Sequence, residues 1–136
     1  MADKLNFSLV SPERELFSGT VDQVDVPGTE GDLGIFPDHS PLMAAIRTDA
    51  ITVYADGQKT QYFVQGGFAD VTPEGLIILA ERAIPMDEMS SDVIKEIMAE
   101  IEANLETQEG EAALEAQQNI DSLRNMANQF SDFYHS

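Results

Sequence analysis

The sequence has no cysteine and few basic residues, with 7 lysines and arginines against 25 aspartates and glutamates. Without cysteine, disulfide bonds, thiolate metal sites and cysteine nucleophiles are excluded, so the fold must depend on packing alone. The net charge of −18 repels phosphate backbones and anionic lipids, which argues against nucleic-acid binding. Much of this acid serves solubility, and any protein partner is expected to present basic residues.

Long apolar runs are also missing. No stretch of about 18 apolar residues occurs, so no segment is expected to insert directly into a membrane. Residues 1–6 contain no basic segment followed by an apolar one, and we therefore expect no secretory signal. Hydrophobic residues make up 43% of the 136 residues, which is enough for a folded core.

Residues 1–86 have the pattern of short strands. Residues 5–9 and 51–55 alternate between apolar and polar, and Asp56-Gly57 predicts a two-residue hairpin turn into a return strand at 59–64. Pro73-Glu74-Gly75 predicts a second turn. The remaining predicted strands are 21–26, 33–36, 42–46, 68–72 and 76–81. Many short strands separated by turn signals indicate an antiparallel sandwich or barrel.

Residues 87–136 have the pattern of two helices, which we expect to form an antiparallel hairpin behind a short linker at residues 83–86. Asp87, Ser90 or Ser91 is the expected cap, and Gly110 separates the helices. The first apolar stripe is Met89, Val93, Ile97, Ile101 and Leu105, widened by Ile94 and Met98. The second is Ala113, Ala116, Ile120, Leu123, Ala127 and Phe130. Two narrow stripes bury little surface, which indicates a marginal, mobile element.

No catalytic or metal site is predicted. The two histidines, His39 and His135, lack the spacing of a zinc motif. Asp38-His39-Ser40 has the residue types of a catalytic triad, but sequence neighbours do not readily face each other as nucleophile and base. The glycines at 28–34 match neither a dinucleotide nor a phosphate loop, and Gly66-Gly67 indicates a bulge or close backbone packing. No cofactor is expected.

Four stretches together resemble the epsilon subunits of bacterial F-type ATP synthases, equivalent to the mitochondrial delta subunit. They are residues 7–19 (FSLVSPERELFSG), 26–42 (VPGTEGDLGIFPDHSPL), 66–71 (GGFADV) and 79–83 (LAERA). The resemblance implies an α+β protein, with a β-sandwich of about ten strands at 1–86 and a two-helix hairpin at 87–136. It implies a non-catalytic rotor subunit of the central stalk, which couples rotation of the c-ring through gamma to ATP synthesis.

The resemblance also implies partners for particular residues. Glu30, Gly31 and Asp32 match the family segment that faces the c-subunit ring, whereas His39, Ser40 and Pro41 match a contact with gamma. The hairpin of the family reaches the alpha/beta catalytic head in members that inhibit ATP hydrolysis. The implied location is the cytoplasmic face of the bacterial inner membrane, as a peripheral protein.

The helical half departs from the family pattern. Many bacterial epsilon chains carry Leu/Ile-Asp-x-x-Arg-Ala for ATP, but the corresponding stretch has no arginine and predicts no ATP binding. It comprises Met89, Ser90, Ser91, Asp92, Val93 and Ile94. Residues 87–136 hold twelve acids and two bases, so we expect weak or absent inhibition of hydrolysis. The alternative function is a β-sandwich binding module with a helical dimerisation arm, formed by the seam from Ala113 to Phe130.

Overall fold

The computed structural model describes residues 4–105, 107 and 109–135, with side chains of the last helix as far as residue 128. The chain folds into two compact units, Met1–Asp87 and Glu88–Ser136. The first unit contains ten strands and the second contains two helices, so the predicted α+β class is confirmed.

The strands of the first unit are all short. In chain order they are β1 (Leu5–Val10), β2 (Glu15–Val21), β3 (Gln23–Gly28), β4 (Gly31–Ile35), β5 (Leu42–Ala45), β6 (Asp49–Ala55), β7 (Gln58–Gln65), β8 (Phe68–Thr72), β9 (Gly75–Leu79) and β10 (Arg82–Pro85). The first sheet has the order β2-β1-β9-β8-β5, and the second has the order β10-β7-β6-β3-β4. The named strand pairs are antiparallel except β1 with β9, which are parallel.

The core lies between the two sheets and follows directly from alternation along the strands. In β1, Leu5, Phe7 and Leu9 are buried, and the residues between them are more exposed. Phe7 also stacks on Phe17 of β2, with ring centroids 5.4 Å apart. Ile51 of β6 is fully buried in the same cluster. Apolar packing between the sheets therefore stabilises this unit without disulfides.

The turns confirm the predicted special backbone positions. Asp56 and Gly57 have φ of 53° and 79°, and both values are typical of the two-residue turn that joins β6 to β7. Gly67 has φ of 108°, and a Cβ placed on it would lie 2.0 Å from the carbonyl oxygen of Leu79. Glycine is therefore required at Gly67 for close backbone packing, as its sequence context indicated.

Two strands differ from the sequence prediction. The predicted linker at residues 83–86 is wrong, because Arg82–Pro85 forms β10 and pairs with β7. Pro85 is compatible with this position because β10 is an edge strand and the proline is its last residue. The predicted strand at 21–26 is divided at Asp22, where β2 ends and β3 begins. The rest of β2 was missed because residues 15–20 lack an apolar alternation and include Gly19.

The second unit contains α1 (Ser91–Leu105) and α2 (Glu111–His135), which pack against each other. Ser90 is the cap, because its Oγ accepts a hydrogen bond from the Val93 amide at 3.2 Å. Gly110, with φ of 65°, precedes α2. The buried residues of the helices are Ile94, Ile97 and Ile101 in α1, and Ala116, Ile120, Leu123 and Met126 in α2. Met126 was not predicted, and the predicted seam residue Phe130 lies outside the described side chains.

Candidate functional site

The turn between β3 and β4 carries the first predicted contact segment, which we call the acidic tip (residues 29–32). Gly28 and Gly31 form the last pair of the two strands, so Thr29 and Glu30 make a two-residue turn. A Cβ on Gly28 would lie 2.6 Å from the Gly31 carbonyl oxygen, so glycine is required there. Glu30 and Asp32 are exposed, so the turn carries two carboxylates at the surface.

The segment between β5 and β6 supports the acidic tip from its side. The Thr29 amide donates to the Ala45 carbonyl at 3.0 Å, and the Arg47 amide donates to the Pro27 carbonyl at 2.9 Å. The Arg47 guanidinium reaches the tip as well, with Nη2 2.7 Å from Oδ1 of Asp32. Sequence reasoning missed Arg47, because only the long-range pairing of the segment after β5 brings it to the tip.

The second predicted contact segment is the loop at residues 37–41, between β4 and β5. Asp38 has φ of 63°, and the His39 amide donates to the Phe36 carbonyl at 3.2 Å, which makes a tight turn. Nδ1–H of His39 donates to the Ser40 carbonyl oxygen at 2.7 Å. That ring nitrogen is therefore occupied by backbone and does not activate the Ser40 hydroxyl. Ser40 and Pro41 are exposed, and His39 is half-buried.

A groove of about 430 Å³ lies beside this loop, lined also by the β8–β9 turn and residues 4–6. Lys4 on its wall is bonded to the carboxylates of Asp22 and Asp56, and these bonds raise the pKa of the lysine. The pKa of Asp22 is lowered, first by Lys4 and then by the Asp56 amide. The Lys4 ammonium is thus used to hold the start of β1 beside the β6–β7 turn.

An exposed apolar surface was not predicted. The apolar face, as we call it, consists of Met43, Phe68, Ile77 and Leu79 on the outer side of the first sheet. Phe68 pairs directly with Leu79, while Asp70 lies between Met43 and Ile77 in the register. The available signal was β9, whose sequence after Gly75 is apolar at every position and therefore predicts apolar groups on both faces. Contiguous exposed apolar residues of this kind mark interaction surfaces.

The three surfaces occupy different parts of one sandwich. The acidic tip and the loop at 37–41 lie at opposite ends of β4, whose five residues span roughly 17 Å, so the structure does not bring these predicted segments together. The loop at 37–41 leads directly into β5, which carries Met43 of the apolar face. The apolar face adjoins the acidic tip as well, because Phe68 pairs with Ala45, whose carbonyl oxygen accepts a hydrogen bond from the Thr29 amide.

The stretch compared with the ATP motif has a structural role in this chain. Met89 and Ile94 are buried, Ser90 caps α1, Asp92 is exposed in the first turn, and Val93 is half-buried. None of these side chains is a cation that could bind phosphate. Asp92 near the helix N-terminus further disfavours an anionic ligand at this position.

Titratable groups do not form a reactive cluster in the part of the chain that the structure describes. Its histidine, aspartate and glutamate side chains include no group of three or more arranged for a metal ion. Burial and Asp87 raise the pKa of Tyr62, and a hydrogen bond with Asp25 is the main cause that raises the pKa of Tyr54. None of the helices in the described residues is long and apolar enough to cross a bilayer.

Comparison with known proteins agrees with this architecture. The family described as "ATP synthase, Delta/Epsilon chain, beta-sandwich domain" matches residues 4–86. The ATP synthase epsilon chain of Maricaulis maris is 59% identical over 92 residues, covering 68% of this chain and 69% of the relative. The epsilon chain of Nitrobacter winogradskyi is 40% identical over 126 residues and covers 93% of both chains.

Solved structures show the same fold at low identity. A chain of the Euglena gracilis mitochondrial ATP synthase (OSCP/F1/c-ring) has a TM-score of 0.71 at 17% identity, covering 93% of this chain and 81% of that chain. A chain of the Tetrahymena thermophila mitochondrial ATP synthase (central stalk/c-ring) has a TM-score of 0.62 at 11% identity, covering 93% and 98%. The named homologues confirm the predicted identity as an epsilon chain, and these neighbours show the same fold. The chain belongs to the ATP synthase delta/epsilon family, and within it to the epsilon chains.

Proposed function

We propose that this chain couples rotation of the c-ring, through gamma, to ATP synthesis in the catalytic head, and that it performs no catalysis itself. The observation that carries the proposal is the presence of two chemically different contact surfaces on one sandwich of an epsilon chain. One surface is apolar and the other is acidic. A hydrogen-bonded sandwich between them supplies the stiffness that a rotor coupling needs.

The gamma subunit is the proposed partner of the apolar face. The loop with His39, Ser40 and Pro41 continues into Met43, so the segment that resembles a gamma contact lies next to the exposed apolar residues. Apolar surface of this kind drives association by leaving water. Asp70, which lies within the apolar face, favours a partner that places one basic residue opposite it.

The c-subunit ring is the proposed partner of the acidic tip. Glu30 and Asp32 are exposed at the end of the sandwich, where they can pair with basic residues on the polar loops of the ring. Gly31 has φ of 140° and leaves the backbone open, with no atom within 4 Å of a Cβ built on it. The proposed location is accordingly the cytoplasmic face of the bacterial inner membrane, as a peripheral subunit.

The helical hairpin is proposed to inhibit ATP hydrolysis weakly or not at all. Its strongly acidic composition opposes docking on acidic loops of the catalytic beta subunits, because like charges repel across an interface. Its apolar seam is also occupied, since Ala116, Ile120 and Leu123 are buried within the chain. This burial weakens the alternative of a dimerisation arm, which needs the seam exposed.

Reconstitution with gamma and the catalytic head tests the proposal. ATP hydrolysis is compared between the full chain and residues 1–86, and we expect the two rates to agree within about twofold, because charge repulsion keeps the hairpin from the head. Co-purification with gamma is expected for both forms. A strong rise of hydrolysis with the truncated form contradicts weak inhibition by the hairpin, and a homodimer that ignores gamma supports the alternative module.

A further inference from the structure

We infer that Arg47 is the positioning residue of the acidic tip: it holds the tip in the conformation that its basic partner recognises. The inference rests on the proposed binding of the acidic tip to the c-ring. It concerns a residue that lies outside the tip sequence and has the charge opposite to it. Simple electrostatics assigns such a residue a negative effect on binding, whereas the geometry assigns it a positive one.

The contacts of Arg47 join three parts of the chain. Nη1 donates to the Gly28 carbonyl oxygen at 2.9 Å, immediately before the tip. Nη2 lies 2.7 Å from Asp32 and 3.3 Å from Asp49 at the start of β6. A planar guanidinium can serve a carbonyl and two carboxylates at fixed angles, which a lysine ammonium on its flexible stem cannot reproduce.

The backbone on both sides of Arg47 is fixed independently of its side chain. Its own amide donates to the Pro27 carbonyl, and Ile46 forms an isolated bridge with Gly28 and donates to the Gly67 carbonyl at 2.9 Å. The guanidinium therefore extends from a rigid stretch of backbone. It fixes a two-residue turn between the strand pair that ends at Gly28 and Gly31. Removal of the guanidinium frees the turn and leaves the hydrogen-bonded backbone of residues 46–47 in place.

Arg47 also makes the two acids of the tip unequal. Asp32 is paired with Arg47, although its side chain remains 76% exposed. Glu30 has no ion-pair partner among the residues that the structure describes. The tip therefore presents Glu30 as a free carboxylate at the end of a turn whose orientation is set by the Asp32–Arg47 pair. A basic partner meets one uncompensated charge in a defined position.

The experiment measures the affinity of the complex of gamma with the full-length chain for the detergent-solubilised c-ring, at several salt concentrations. In Arg47→Met the apolar stem remains and the tip becomes more negative. Positioning predicts that binding weakens about threefold to tenfold despite the added negative charge. Hydrogen exchange at the Thr29 amide is expected to accelerate, because the turn is released. Arg47→Lys keeps the charge, and its affinity for the ring is expected to lie between those of the wild type and Arg47→Met.

Arg124→Met is the matched control, since it makes the same change of charge in α2, where Arg124 lies 3.8 Å from Asp121. Unchanged or tighter ring binding by Arg47→Met overturns the inference, as does equal weakening by the control. If Arg47→Met fails to fold, weaker binding by Arg47→Lys at unchanged Tm supports the inference and wild-type binding overturns it. Wild-type binding by a Glu30→Gln/Asp32→Asn double variant refutes the tip as the ring site, which is a separate failure of the proposed function.

Discussion

Replacing Phe68 by threonine is the sharpest test of the proposal that the apolar face binds gamma. Phe68 pairs with Leu79 in the apolar face and is 54% exposed as the first residue of β8. Threonine removes the ring and is itself β-branched, a shape that suits a strand. Ala45 and Leu79 flank this position across the sheet. Phe68 is the largest side chain of the apolar face, and the change removes its ring.

The expected magnitude follows from the area. A phenylalanine side chain presents roughly 200 Å², so about 100 Å² of Phe68 remains for a partner to cover. At about 25 cal/mol per Å², that burial stabilises the complex by about 2.5 kcal/mol, or about sixtyfold in Kd. Threonine retains part of the area, and we therefore expect Phe68→Thr to weaken gamma binding by roughly tenfold to fiftyfold.

The assay is surface plasmon resonance on an immobilised complex of gamma with the catalytic head. Circular dichroism and Tm establish that the variant is folded. Leu114→Ala is the control, because Leu114 is 61% exposed on α2 and lies outside the sandwich. Binding of Phe68→Thr within twofold of the parent, with the fold intact, refutes the assignment of the apolar face to gamma. Equal weakening by Leu114→Ala refutes a contact confined to the sandwich.

Two further predictions concern stability. Gly67→Ala combines a positive φ with a Cβ 2.0 Å from the Leu79 carbonyl oxygen, and it should lower the free energy of unfolding by more than about 3 kcal/mol. Gly57→Ala also has a positive φ but its Cβ meets open space, so it should lower the free energy of unfolding by only about 1 kcal/mol. Urea unfolding measures both, and equal costs contradict the steric argument. The second concerns Asp22, whose pKa in the folded chain is lowered, first of all by Lys4. The carboxylate therefore contributes its full stabilisation above the unfolded pKa near 3.8, and this contribution is lost as the pH falls through the folded pKa. The difference between wild type and Asp22→Asn at pH 7 should therefore shrink near pH 3, and a constant difference excludes the ion pair as its cause.

Much of the fold was predictable because it depends on local rules. Alternation in β1, the Asp56-Gly57 turn and the four-residue spacing of α1 each follow from a period or a backbone angle that the residue types reveal. β10 was not predictable in this way, because four residues that end in proline have no period of their own. They become a strand only by pairing with β7 at the edge of the second sheet.

The candidate surfaces also differ in whether contiguous residues reveal them. The acidic tip was recognised from contiguous residues, since glycines and acids in one turn are a local signal. The apolar face joins Met43 to Phe68 and Leu79, which are far apart in the sequence and meet only through the order β9-β8-β5. Arg47 likewise becomes relevant to the tip only because the segment that follows β5 lies beside Gly28. Long-range pairing, rather than residue type, creates both features.

The chemistry of the two surfaces suits the two partners proposed for them. An apolar face gives affinity that depends on excluded water and little on ionic strength, which suits a permanent attachment to gamma. An acidic tip contributes little net energy when exposed, because salt screens it, but on the proposed c-ring partner it would set orientation and register. Orientation is lost if the tip moves relative to the sheet. The interactions that matter most for coupling are therefore the backbone bonds and the guanidinium that fix the tip, although each is minor for stability.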